Sequence, residues 1–297
     1  MPRFSTASFV LLATVACIVR ADESTRPLFQ IQIDGSDLKR IVPDESLSYG
    51  SPCFSPDGKR IAFDAWPGSK YNQSHVYVME IAADADADLL DLGRGAMPSF
   101  SPDGKQVVVH TYDSNPNVVI VNVDEEAERK SIGISTNGPR WSPNGKWIAF
   151  MNFQGGSEYA IYKLEDKTIS TLTSGLYQAC RGGAWSPDGT KLAYPIYSPD
   201  GQSVTQIVTA TIDEDGTLES ERVVVGMNNI SANLTWSPDS KQILFSGQES
   251  DGEAYQLYTI TTKRNSKPVK LPGQDPNQDN IDPTWSPDGK TIVFCAE

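Results

Sequence analysis

The sequence predicts an all-β protein, a six-bladed β-propeller. Three observations support this: a twelve-residue pattern that returns six times, a chain rich in turn-forming residues, and two N-terminal strands that match a pair missing at the C terminus. The copies are Pro52–Phe63 (PCFSPDGKRIAF), Pro98–Val109 (PSFSPDGKQVVV), Pro139–Phe150 (PRWSPNGKWIAF), Gly183–Tyr194 (GAWSPDGTKLAY), Leu234–Phe245 (LTWSPDSKQILF) and Pro283–Phe294 (PTWSPDGKTIVF). Their serines, Ser55, Ser101, Ser142, Ser186, Ser237 and Ser286, lie 46, 41, 44, 51 and 49 residues apart. That is the length of a four-stranded blade. The 23 Gly and 20 Pro favour short connections over long helices.

Each part of the pattern has a mechanical reason. The aromatic residue (Phe54, Phe100, Trp141, Trp185, Trp236, Trp285) ends the first strand as a bulky knob that fills the gap between neighbouring blades. Ser-Pro-Asp-Gly is turn chemistry, with Pro presetting φ and Gly accepting a positive φ. An alternating apolar second strand follows, so the pattern is a hairpin. Third strands are expected at 75–81, 117–123, 160–165, 206–212 and 254–260, and shorter fourth strands in LLDLG, RKSIGI, TISTLT, RVVVG and KPVKLP. The sixth copy ends almost at once, at Glu297. Residues 28–33 (LFQIQI) and 38–42 (LKRIV) supply the third and fourth strands it lacks, so the last blade is expected to close from both termini and leave no free edge between first and last blades.

Ahead of the ring, residues 1–21 carry Arg3, an apolar run from Phe9 to Val19, and small residues three and one before a cut after Ala21. They read as a cleaved signal peptide, with 22–297 as the propeller domain and a periplasmic or secreted location. The run is shorter than the ~20 residues of a membrane span. A lipid anchor at Cys17 is the lesser alternative. Beyond it stand Cys53, Cys180 and Cys295, read as small buried hydrophobes, with Cys53–Cys295 the one pairing the ring makes geometrically reasonable.

At these six copies the sequence resembles the TolB-like β-propeller family, whose WD-like repeats carry the signature P-x-W-S-P-D-G-K-x-I-A-F. The resemblance covers nearly the whole chain after residue 21. It implies a propeller and leaves function open, because the same repeats occur in TolB, in accessory propellers of prolyl-oligopeptidase-like peptidases and in some carbohydrate-active lyases. TolB-type proteins carry a separate α/β domain before the propeller, and here fewer than ten residues separate Ala21 from the first expected strand.

Composition narrows the chemistry. A net charge of −13 lacks the basic surface that nucleic acid requires. Two histidines, His75 and His110, cannot make a multi-histidine metal centre or the ligand set of a propeller-type uronate lyase. No Gly-x-Ser-x-Gly elbow accompanies them. The run Asp84-Ala85-Asp86-Ala87-Asp88 has Leu89 where an EF-hand needs Gly and Gly95 where it needs Glu; it reads as a solvated linker. No cofactor or metal is expected, and the chain reads as a monomer.

Binding residues are expected on the face opposite the motif turns, where variable loops collect. Trp66, Tyr71, Tyr112, Phe153, Tyr177 and Tyr197 offer stacking surfaces, Asn228 and Asn229 offer amides, and Arg181 is a lone cation. The expected function is a non-catalytic scaffold holding a protein, a peptide or a cell-envelope glycan. The alternative is a hydrolase or lyase using carboxylates at the channel mouth, and a buried acidic pair with raised pKa there would favour it.

Overall fold

The computed structural model describes residues 25–42, 46–81, 89–112, 117–123, 128–152 and 158–297. Residues 1–21, read above as a signal peptide, the Asp84–Asp88 run and Phe153 lie outside them. The chain opens with β1 (Leu28–Gln32) and β2 (Lys39–Arg40). Blade one follows as β3 (Leu47–Phe54), β4 (Arg60–Pro67), β5 (His75–Glu80) and β6 (Leu90–Arg94). Blade two is β7 (Ala96–Phe100), β8 (Gln106–His110), β9 (Val118–Asn122) and β10 (Arg129–Ser131). Blade three is β11 (Asn137–Trp141), β12 (Trp147–Asn152), β13 (Glu158–Lys163) and β14 (Ile169–Thr171). Blade four is β15 (Ala184–Trp185), β16 (Lys191–Tyr197), β17 (Val204–Ile212) and β18 (Leu218–Gly226). Blade five is β19 (Asn229–Trp236), β20 (Gln242–Gln248), β21 (Gln256–Thr261) and β22 (Val269–Lys270), and β23 (Asn280–Trp285) and β24 (Thr291–Ala296) end the chain.

Five sheets are sequential antiparallel meanders, and the sixth has the order β2-β1-β24-β23. The ring therefore closes with strands from both termini. Leu28 pairs with Cys295 and Gln32 with Thr291, and the Phe29 and Phe294 rings stack at 6.0 Å. Arg26 adds two hydrogen bonds to Glu297 Oε2, at 2.6 and 3.1 Å, across the same seam.

The core is divided among the blade interfaces. Six apolar clusters form, one between each neighbouring pair of blades. Successive residues of a strand face opposite sides, so Val107 and Val109 pack toward blade one while Val108 packs toward blade three. Both faces of a blade are buried, which is why the second strands read as nearly unbroken apolar runs. Trp147 and Trp185 meet at 5.8 Å, and Tyr159 and Tyr194 at 5.2 Å, across the interface of blades three and four. There Gly183 stands where four of the other copies begin with Pro. A Cβ at Gly183 would lie 2.7 Å from the Tyr159 hydroxyl, which instead accepts the Gly183 N–H at 2.7 Å.

Strands run further toward the variable face than the pattern suggests. Leu47–Gly50 pair with Asp64–Pro67, so Trp66 belongs to β4 rather than to a loop; likewise Asn229 begins β19 and Tyr197 ends β16. The alternating apolar signal fades there, where polar residues such as Ser48, Asp64 and Asn229 stand within the strands. All three described cysteines are free thiols: Cys180 and Cys295 are buried, Cys53 partly so, and no Cys53–Cys295 bridge forms.

Candidate binding faces

The motif turns are built identically. In every copy the serine hydroxyl donates to the Asp carboxylate, or to the Asn144 amide oxygen, at 2.6–2.7 Å. The same oxygen accepts the N–H two residues on, and the serine oxygen accepts the N–H five residues on. The serine hydroxyl is the main cause holding the Asp57, Asp103, Asp239 and Asp288 carboxyls below their ordinary range. Ser240 replaces the usual glycine at φ 59°, and its hydroxyl accepts the Asp188 N–H at 3.1 Å, tying the turns of blades four and five together. A seventh turn of this kind, Ser-Pro-Asp-Gly at 198–201, repeats part of this chemistry between β16 and β17, so the turn alone does not define a blade.

Around the axis the six turns form a funnel. Its cavity is ≈ 450 Å³, walled by the six motif prolines and by five of the six motif aromatic rings, Phe54, Phe100, Trp141, Trp185 and Trp236. Pro56, Pro102, Pro187 and Pro287 are exposed at its rim. Two of the indoles staple the ring: Trp185 Nε1 donates to the Arg140 carbonyl at 3.3 Å and Trp236 Nε1 to the Ala184 carbonyl at 3.0 Å. The buried Trp141 Nε1 has no hydrogen-bond partner. Three polar side chains line the funnel in a chain: Arg140 Nη2 donates to Asn233 Oδ1 at 3.2 Å, and Asn233 Nδ2 donates to Asp282 Oδ1 at 2.8 Å.

A backbone irregularity positions these groups. Three residues before the aromatic, the inner strand takes a left-handed φ in five blades: Ser51 (48°), Met97 (54°), Gly138 (62°), Gly182 (95°) and Asp282 (53°). The register slips at that point in blades one, two, three and six. Such a bulge re-aims side chains at a rim or site, and holding Ser, Met or Asp there costs ~1 kcal/mol or more each. Sequence reasoning assigns the motif residues to turns and packing and misses the funnel. The repeated Pro and aromatic residues are visible in the sequence, but their convergence around one axis appears only in the folded ring.

On the variable face, three of the expected residues meet. Trp66 contacts Tyr71 edge-on at 4.6 Å, and Tyr71 contacts Tyr112 at 5.5 Å. Trp66 is only 8% exposed, whereas Tyr112 is 41% exposed. Arg181 is exposed and near enough to Tyr112 and Tyr197 to lower their hydroxyl pKa values against the larger effects that raise them. Tyr177 packs against the core of blades three and four. Asn228 is bound to Asp251 at 2.6 Å and Asn229 to Gln248 at 2.9 Å, within blade five.

Beneath this face lies Asp64, fully buried. Burial first, and then the Asp282 charge, push its carboxyl up to about 6, against the pull of the Met97 N–H and the Ser51 and Tyr71 hydroxyls. His110, at the equivalent position of blade two, is driven down to about 4 by burial and by Arg140 and Arg181. Neither of its ring nitrogens has a hydrogen-bond partner. His75 sits apart, with Nδ1 3.0 Å from the Asp91 carboxylate.

Comparison with known proteins agrees with the ring. The chain is 29% identical over 221 residues to the Tol-Pal system protein TolB of Francisella tularensis subsp. holarctica, covering 71% of this chain and 49% of that protein. It is 25% identical over 310 residues to dipeptidyl-peptidase 5 of Porphyromonas gingivalis, covering 82% of this chain and 44% of that one. It thus spans about half the length of the curated relatives it matches. The solved structure of a putative TolB from Agrobacterium tumefaciens superposes with a TM-score of 0.65 at 17% identity, covering 91% of this chain and 97% of that one, a likeness of fold. The family model PD40, the TolB beta propeller domain, matches residues 10–173 and 134–297, and on that match the chain belongs to the TolB β-propeller family.

Proposed function

We propose that the chain is an exported binding scaffold, residues 22–297 after removal of a signal peptide, which takes an extended segment of an envelope protein into the motif-turn funnel. The observation that carries this reading is the funnel itself: an apolar, proline-rimmed concavity on the axis, with a guanidinium, an amide and a carboxylate converging in it. Ligand sites have this composition, apolar walls with a few placed polar groups. Proline and aromatic rings lose little entropy on contact, and a closed ring holds all six turns in fixed positions, so the ordering cost of binding is low. Likeness to the Tol-Pal system protein makes a periplasmic partner of a Tol-Pal-type system the first to test.

A second reading keeps the variable face, where Tyr71, Tyr112, Arg181 and Tyr197 remain the proposed contacts for peptide or glycan. Asp64, with its raised pKa and its Asp282 neighbour, is the observation that favours the enzymatic alternative, but its burial keeps it from touching a substrate. Two variants separate these readings. Pro56→Asp with Pro287→Asp charges the funnel rim, and Tyr112→Ala with Arg181→Ala strips the opposite face. Partner retention lost only in the first supports the funnel; loss only in the second contradicts it. Turnover of envelope peptides or glycans that Asp64→Asn abolishes would replace binding by catalysis.

A further inference from the structure

Outside both mouths, the outer edges of the blades differ. The last strand of each blade presents unpaired N–H and C=O groups to its surroundings, a template for another strand. Four of these strands are two or three residues long: β2, β10, β14 and β22. The five-residue β6 is capped, because the Arg129 guanidinium donates to the Leu92 and Arg94 carbonyls. β18 runs nine residues, and among the described residues no strand pairs with its outer edge. Between two register slips, Ser220–Val223 keep regular pairing with Val208–Thr211.

The surroundings of this edge have a defined chemistry. A groove of ≈ 640 Å³ runs between Arg222–Gly226 and the loop carrying Lys263 and Arg264. Its charged lining residues are those three cations, on a chain of net charge −13. Among the described residues none of the three makes an ion pair. The acid next to Arg222 in sequence, Glu221, projects toward the interface with blade three, where the Tyr194 hydroxyl of blade four, at 2.6 Å, and Ser174 after β14 hold its carboxylate. Val223, two residues from Glu221, is 40% exposed.

We infer that the β18 edge is a second docking site, which adds an extended acidic segment of a partner protein as a fifth strand of blade four. Main-chain hydrogen bonds supply the affinity, and alternate side chains supply the selection. One face of the incoming strand places carboxylates over Arg222, Lys263 and Arg264. The other lays apolar side chains on Val223. This site is independent of the funnel and of the partner proposed for it.

The test is fluorescence polarisation with the whole chain and a labelled heptapeptide, Val-Glu-Val-Glu-Val-Glu-Val. Saturable binding is expected, at least tenfold weaker for Arg222→Glu/Arg264→Glu and for the peptide with Lys in place of Glu. N-methylation of alternate peptide residues separates strand addition from plain charge attraction. One methylated series loses binding and the other keeps it, because only every second N–H faces the edge. No saturable binding, equal binding by both methylated series, or undiminished binding by the charge-reversed variant would overturn the inference. So would a concentration-dependent dimer broken by Val223→Pro, since the edge would then be taken by a second copy.

Discussion

The two mouths of the channel are made by opposite rules. On the motif-turn side, six copies of one hairpin place the same proline, aromatic and serine–aspartate turn at six stations, and the funnel is the sum of that repetition. On the other side each blade ends differently, and the aromatic residues there mostly satisfy one another: Trp66 packs on Tyr71, and Tyr71 on Tyr112. Diversity of sequence is therefore no guide to the aromatic residues left open at this mouth. The mouth that looks purely structural carries the apolar concavity on the axis.

The comparison can be broken first at the tryptophans. Trp236 is 3% exposed and hydrogen-bonded across blades, so Trp236→Ala should cost ~3–5 kcal/mol of unfolding free energy, measured by urea titration. Trp141 is half-buried with a free indole N–H, and Trp141→Ala should cost only ~1–2 kcal/mol. Equal losses would mean that Trp141 serves packing as fully as Trp236 does and is not held for a ligand.

A smaller effect separates the acid below the variable mouth from those of the turns. Asp64 has a folded pKa of about 6, above its ordinary value, so its contribution favours folding below that ordinary value and is lost as pH rises through 6. Asp64→Asn should accordingly stabilise the fold by ~3 kcal/mol at pH 8 and by almost nothing at pH ~3.5, read as the pH dependence of Tm. The turn aspartates work in the reverse sense, their contribution being present above the ordinary carboxylate range and lost on acidification. Ser55→Ala, which removes the buried hydroxyl at the centre of one turn, should cost ~1 kcal/mol, measured by thermal denaturation. Smallest of all, Tyr112→Ala should change stability by less than ~0.5 kcal/mol, since its ring is 41% exposed. A larger loss would show that the aromatic cluster of the variable face is structural throughout.

Much of the ring was legible because its cause is local. Ser-Pro-Asp-Gly makes the same turn wherever it stands, and alternating apolar residues make strands whose two faces both need covering. The half blade at Leu28–Gln32 was legible as the complement of a missing one, and the Leu28–Cys295 pairing follows from it. The funnel was not legible, because it arises from superposing six stations that are 41 to 51 residues apart in sequence. Nor were the left-handed residues Ser51, Met97 and Asp282, whose side chains carry no sign of that conformation; tertiary pairing imposes it. Trp66 and Asn229 were expected in loops because their strands continue into segments where polar residues interrupt the apolar alternation.

The most direct test of the funnel as the binding mouth is photo-crosslinking in intact cells, with a photoreactive residue at position 287 on its rim or at position 112 on the opposite face. The account predicts a discrete adduct from position 287 whose cross-linked peptide maps to one extended segment of an envelope protein, and none from position 112. An adduct from position 112 with silence at 287 would contradict it and return the binding surface to the variable loops.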